Sequence, residues 1–282
     1  MSVITSPRAT TEEPGKAPRP EYKVTGRRVL RSEWSKLWSL RSTWITLGLG
    51  LLFLVAFGLI AAARYKSSLT SGRQMDPDFA DANALTLSLF GVSLAQLALG
   101  VLGVLVTAGE YSTGMIRSTL AAVPKRLPVL WSKATAYGVV ALIVGLVGAI
   151  ATFLIGSQIL SGTPAELSLS DSGVVRSLLG AGLYLGLIGV IGVALGSLLR
   201  SVAGGITVLV AAMMLVPGLI TLLPSAWQNN IEPYLPSVAG GSMYALDKAP
   251  NTLSAGAGLA VFLGWTVVVL AAAAWRLKRT DA

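Results

Sequence analysis

No cysteine and no histidine occur in the 282 residues of this chain, and charged residues make up only 12% of it. Without thiols or imidazoles there is no disulfide, no thiolate nucleophile, no histidine acid/base pair and no ordinary zinc ligand set. Charge is missing most conspicuously from six long apolar runs. They extend roughly from Trp44 to Ala63, Ala84 to Val106, Ala134 to Leu160, Ser177 to Leu199, Val202 to Leu223 and Gly256 to Trp275, and none holds an Asp, Glu, Lys or Arg. Intramembrane proteolysis by a serine/histidine pair or by aspartates is thereby excluded. Ion-coupled carriers place ionisable groups at mid-membrane; here the runs offer only the neutral Gln96 and Gln158. A solute driven uphill past such walls takes its energy from outside the membrane. That energy is not supplied by this chain through a phosphate loop, because no Gly-x-x-x-x-Gly-Lys-Ser/Thr motif occurs in it.

What is present is apolar surface in lengths that fit a bilayer. Hydrophobic residues make up 53% of the chain and the mean hydropathy is +0.69. A hydrocarbon core of about 30 Å takes about 20 helical residues at about 1.5 Å each, so every run suffices for one pass. Lipid offers no partner for free backbone groups, so the runs are expected as helices. The reading is an all-α integral membrane protein with six transmembrane helices. With the N-terminus in the cytoplasm, the inner segments 1–43, 107–133, 200–201 and 276–282 carry 17 of the 22 Lys and Arg. This asymmetry predicts a multi-pass protein of the cell membrane with both termini cytoplasmic. It also accounts for the net charge of +9 without nucleic acid, since the cations hug membrane boundaries and form no patterned basic domain.

Residues 1–25, rich in Pro, Thr, Ser and charge, read as a disordered tail, and 26–282 as one membrane domain. The first apolar run begins only after 43 polar residues and is too long for the core of a cleaved leader, so it is expected to stay attached. Between Thr25 and Arg41, Leu30, Trp34, Leu37 and Trp38 recur at helical spacing while Arg27, Arg28, Arg31 and Lys36 take mostly other faces. That pattern predicts an amphipathic helix in the headgroup zone, in contact with membrane lipids, either as a plain anchor or as a brace for a partner. In the first outer loop Asp76, Asp78 and Asp81 match no known cation-loop spacing and read as a solvated face. The last outer segment, about Pro224 to Ala255, mixes breakers with Trp227, Tyr234 and Tyr244, candidates for an outer gate or for a passive cap. Short helices dipping into the outer leaflet are expected there. Gly145 and Gly148 lie in the third run, and in the fourth Gly182/Gly186 and Gly192/Gly196 make small-xxx-small pairs. These suit close helix packing, within one chain or between two. Pro217 followed by Gly218 predicts a kink or break in the fifth run.

The one sizeable inner loop runs Gly109-Glu110-Tyr111-Ser112-Thr113-Gly114-Met115-Ile116-Arg117-Ser118-Thr119-Leu120, then Ala121 to Arg126 with Pro124 as a stop. It has room for a short helix across the cytoplasmic face, with Met115, Ile116 and Leu120 as apolar knobs. Glu110 near the start of such a helix would suit its dipole and simply cap it; alternatively, the helix is a docking knob for a cytoplasmic motor.

The loop from Glu110 to Pro124, together with Glu33-Trp34-Ser35-Lys36-Leu37 and Leu40-Arg41-Ser42-Thr43-Trp44, resembles the permease subunit of type-2 ABC exporters, of the kind common in high-GC Gram-positive bacteria. The resemblance extends in topology from about Arg27 to Arg279. It implies a six-helix transmembrane domain in which Thr25 to Arg41 is the connecting helix, Glu110 to Leu120 the coupling helix, and the segment between the fifth and sixth spans holds re-entrant helices. The ATPase contact then falls on Glu110, Tyr111, Ser112, Thr113, Gly114, Met115, Ile116 and Arg117. The same resemblance implies a separate cytoplasmic ABC ATPase that binds ATP and Mg, a second permease copy or a paralogue, and no enzymatic activity or cofactor in this chain. The alternative is a membrane anchor or assembly factor that recruits a cytoplasmic partner and moves no solute.

Overall fold

Runs of apolar residues without an internal breaker satisfy their backbone groups within themselves, and in the computed structural model of the chain every regular element among the described residues is a helix. The structure describes residues 25–72, 79, 82–123 and 125–279. The tail, the loop residues Arg73, Asp76, Asp78 and Asp81, and the stop at Pro124 lie outside that set. Among the described residues there is no strand.

Helix α1 (Gly26–Ser39) is joined through Leu40 to α2 (Arg41–Ser71), which ends on Gly72 in the left-handed region. A short α3 (Ala84–Ser88), capped by the Asn83 side chain, tightens through one 3₁₀ turn (Leu89–Gly91) and continues as α4 (Val92–Ser112). After α5 (Met115–Ala122) come α6 (Leu127–Ile159) and α7 (Val174–Leu199). Arg200, at φ 54°, and Ser201 turn the chain straight into α8 (Val202–Val210), where the Ser201 hydroxyl accepts from the Gly204 amide at 3.2 Å. A π-type turn (Ala211–Leu215) and α9 (Val216–Ile220) complete that helical run. Then follow α10 (Ser225–Ile231), a 3₁₀ turn (Glu232–Tyr234), α11 (Pro236–Tyr244) and α12 (Ala255–Arg279). Among the described residues six helical runs are long and apolar enough to cross a membrane.

The irregular turn before Pro217 has a direct cause. Proline has no N–H to donate and its ring crowds the carbonyl four residues back, so the preceding turn widens. The expected break is therefore a π-type turn one step upstream of the proline.

At the centre stands α7, between α6 on one side and α4 on the other. Of its apolar window 72% is buried within the chain, against 22% for Val202–Ile220 and for Ala255–Arg279. Glycine makes this position possible, because in lipid helices gain little from apolar burial and associate through close packing. A methyl group at Gly182 would stand 2.9 Å from Leu146 Cβ, and one at Gly186 2.8 Å from Leu142 Cβ, both on α6. Three turns along, the other pair faces α4: a methyl at Gly192 would collide with the Gly100 carbonyl, and one at Gly196 would stand 2.7 Å from the Val104 carbonyl. Both pairs thus serve contacts within one chain, on two faces of one helix. Two buried tyrosines between these helices are matched. Tyr184 donates its hydroxyl to Gln96, and Tyr137 donates to the Leu99 carbonyl at 2.6 Å.

Replacing Gly192 by alanine should destabilise the chain by about 1–3 kcal/mol, the usual cost of overpacking. Gly264, beside which a methyl meets nothing within 4 Å, should tolerate alanine within about 0.5 kcal/mol. Thermal unfolding of both variants in one detergent checks the difference.

Candidate functional site

Four charged side chains from three helices meet at one end of the bundle. Lys133, one turn and a half into α6, donates to Glu33 Oε2 on α1 at 2.6 Å and to Glu110 Oε1 near the end of α4 at 2.7 Å. Lys36 donates to Glu33 Oε1 at 2.7 Å and to Glu110 Oε1 at 3.2 Å. The result is a closed ring in which cations and carboxylates alternate and the four charges sum to zero. Lys133 is 3% exposed, Glu33 3% and Glu110 5%. A third contact of Lys36, to Thr119 Oγ1 at 3.4 Å, ties the ring to α5.

Local structure places each member. On α1, Val29, Glu33 and Leu37 are spaced by four and form the buried face, with the carboxylate between two apolar side chains. Helix α1 packs along α6, so Glu33 lies opposite Lys133. Burial alone would lower the affinity of Lys36 for its proton; the hydrogen-bonded Glu33 and the nearby Glu110 outweigh it and hold the pKa above the ordinary lysine value. A raised cation pKa stabilises fully below the ordinary value and is lost only as pH rises through the folded one. Lys36 is therefore a constant cation at neutral pH.

Beside the ring lies a cavity of about 10 Å³, walled in part by Thr107, Tyr111, Ile116, Lys133 and Ser197. The Thr107 and Tyr111 hydroxyls are buried without a hydrogen-bond partner, and the size and lining suit one water molecule. The Arg200 guanidinium lies over the Tyr111 ring at 5.1 Å. Arg276 donates to the Leu198 carbonyl, and Arg126 to the Leu277 carbonyl at 3.4 Å. Helix α1, the start of α6 and the ends of α4, α7 and α12 thus share one polar, basic end.

The residues expected to contact a motor are divided by the fold. Glu110, Tyr111 and Ser112 form the last turn of α4, and Gly114, at φ 74°, reverses the chain into α5. Glu110 does not cap α5, whose N-cap is Gly114 and whose first turn holds no acidic residue; its carboxylate belongs to the ring. Ser112 and Thr113 are exposed at the turn and donate to the Gly109 carbonyl, each at 2.9 Å. Of the three apolar knobs, Ile116 is buried, Leu120 is half-buried and Met115 alone is exposed, beside the exposed Arg117. The inner cavity draws Ile116 and Leu120 inward, one turn apart, and leaves Met115 and Arg117 outside.

On α1 the stripe of Leu30, Trp34, Leu37 and Trp38 is likewise divided. Leu37 is buried and Leu30 half-buried, while Trp34 and Trp38 are exposed and continue into Trp44, with ring centroids 5.7 Å and 4.6 Å apart. The inward face needs Glu33, which turns the indoles outward. Trp227, Tyr234 and Tyr244 each meet a different neighbour. Trp227 is exposed on α10, the Tyr234 carbonyl accepts from Trp265 Nε1 at 3.0 Å, and Tyr244 packs on Tyr184 at 5.6 Å.

In the sequence Lys133 reads only as a boundary cation and Lys36 only as part of a polar face. One signal was available: Glu33 and Glu110 are the only carboxylates in segments 25–43 and 107–133, which are otherwise basic. No family model matches the chain, and no curated protein is similar to it.

Lys133→Met should destabilise the chain by about 3–5 kcal/mol, because it leaves two buried carboxylates facing one half-exposed lysine. Adding Glu110→Met to it should recover part of that loss, since Glu33 and Lys36 still pair. Unfolding temperatures of the single and double variants check this; a double variant less stable than the single one argues against the ring.

Proposed function

We propose that this chain is the membrane-embedded subunit of an ATP-driven exporter of the type-2 ABC permease kind, and that α5 with the turn before it is where a separate cytoplasmic ATPase engages. The observation that carries the reading is the attachment of α5. It is a two-turn helix with Met115 and Arg117 outward, held to the bundle by Ile116, by the Gly114 turn and by the Lys36 to Thr119 contact. A push on α5 would reach α1, α4 and α6 together through the charge ring. Such rigid branching suits an element that converts a partner's movement into a shift of several membrane helices. The basic residues around it support a cytoplasmic position for this end, and with it both described chain ends, by the positive-inside pattern.

The interior of the chain also supports assembly in pairs. Where Gly100 and Gly103 of α4 meet Gly189 and Gly192 of α7, the backbones touch and leave no room for a solute. A pathway would then run along the outside of this subunit, between it and a second copy or a paralogue. The same closed interior favours the second reading, an anchor that docks a cytoplasmic partner and transports nothing.

Isolation of the tagged chain from its native membrane in mild detergent, with mass spectrometry of what accompanies it, tests the reading. The expected companion is an ATPase with a phosphate loop, and Arg117→Glu should weaken its retention about tenfold or more while leaving the unfolding temperature unchanged, as loss of a charged contact at an interface does. Gly114→Pro, which forbids the positive φ and removes the amide that donates to the Tyr111 carbonyl, should weaken retention as well and lower the unfolding temperature. Retention of the ATPase without ATP-dependent solute accumulation in inverted vesicles would favour the anchor; recovery of no ATPase would overturn the exporter and leave the anchor, whose partner need not be an ATPase.

A further inference from the structure

A groove of about 440 Å³ runs between α6 and α12 at the basic end of the bundle, on the outer surface and away from the charge ring. Leu127, Trp131, Leu270 and Trp275 are among its walls, with Val267 at one end and Lys278 at the other. Trp131 is 47% exposed, Trp275 57% and Val267 62%, so the groove opens outward. From Val267 to Lys278 is about 16 Å along the helix, close to half of a hydrocarbon core of about 30 Å. Its walls are apolar over that depth and carry indoles near the mouth, the arrangement of a membrane boundary. The volume falls within the range of about 300–1,000 Å³ typical of small-molecule sites.

The described charged residues at the mouth are basic. Lys278 lines it, Arg279 stacks over the Trp275 ring at 4.5 Å, and the exposed Lys125 stands in the turn that enters α6. Among the described residues no carboxylate lines the groove. The Arg126 to Leu277 hydrogen bond at 3.4 Å holds the end of α12 against the start of α6, so the cations and the slot belong to one built feature. We infer that this groove is a binding site for one anionic phospholipid, with an acyl chain between the two tryptophans and the headgroup phosphate on Lys278 and Lys125. An apolar slot one leaflet deep that ends in cations is complementary to that molecule at both ends, and basic pockets between membrane helices take acidic headgroups. The inference depends on the chain spanning a membrane and not on its being an exporter.

The test is native mass spectrometry of the chain from bilayers of phosphatidylcholine with increasing phosphatidylglycerol. One phosphatidylglycerol per chain should be retained, with a preference over phosphatidylcholine of about tenfold, the size that one or two lysines at an anionic surface give. Lys125→Gln with Lys278→Gln should bring retention near parity, and Ala271→Phe, which fills the slot and leaves the charges intact, should abolish it. Equal retention of both lipids, or a preference that survives the double lysine variant, overturns the site and leaves ordinary boundary lipid. Because the chain has no cysteine, Ala271→Cys would carry a single thiol. Efficient disulfide formation between two copies of that variant would make a second copy the occupant and overturn the inference as well.

Discussion

An ammonium group buried at the edge of a long apolar helix has to be neutralised on the spot, and the position of Lys133 between two carboxylates meets that requirement. Taking a cation out of water costs several kcal/mol, which only close, well-aligned anions offset. Glu33 and Glu110 supply them from different helices, so α1 and α4 are located by the electrostatic need of α6. Lys36 completes the neutralisation by sharing both carboxylates. The ring therefore specifies where an otherwise loosely attached N-terminal helix lies. It also fixes which face of α1 turns inward, and with it the outward display of Trp34 and Trp38.

The glycine contacts do the corresponding job deeper in the bundle with a different force. Ion pairs fix direction and register because they are few and specific, whereas the α4, α7 and α6 contacts rely on many short-range dispersion terms that fade within an ångström. Gly182 and Gly186 hold α7 to α6, and Gly192 and Gly196 hold it to α4. The polar end and the apolar middle thus constrain α4 and α6 independently, the first adding α1 to them and the second α7. Elements outside this pair of constraints, α8 with its widened turn and α12, keep most of their apolar surface on the outside.

Legibility in the sequence followed the range of the interaction. The junction between the fourth and fifth runs, at Arg200 and Ser201, could be read to the residue because two polar positions interrupt continuous apolar sequence, and the helices end and begin there. Hydropathy marks a membrane edge and not the end of a helix, so α2 continues past Ala63 to Ser71, with Lys66 reaching the Ile159 carbonyl at 2.7 Å. For the same reason α6 begins seven residues ahead of its apolar run and takes in Lys133. The ring itself was not legible from any local pattern, since Glu33 and Lys133 are 100 positions apart and each resembles an ordinary boundary charge. The inward turn of Ile116 was hidden likewise, because it depends on a cavity walled by Leu130 and Leu277.

The ring has an order in time as well as a place. A chain made from its N-terminus presents Glu33 and Lys36 first, Glu110 after the second apolar run, and Lys133 only with the third. Until residue 133 arrives, two carboxylates share one lysine and have reason to stay in water. Closure of the ring thus waits for the third apolar run, so that α1, made before both α4 and α6, is the last of the three to be locked.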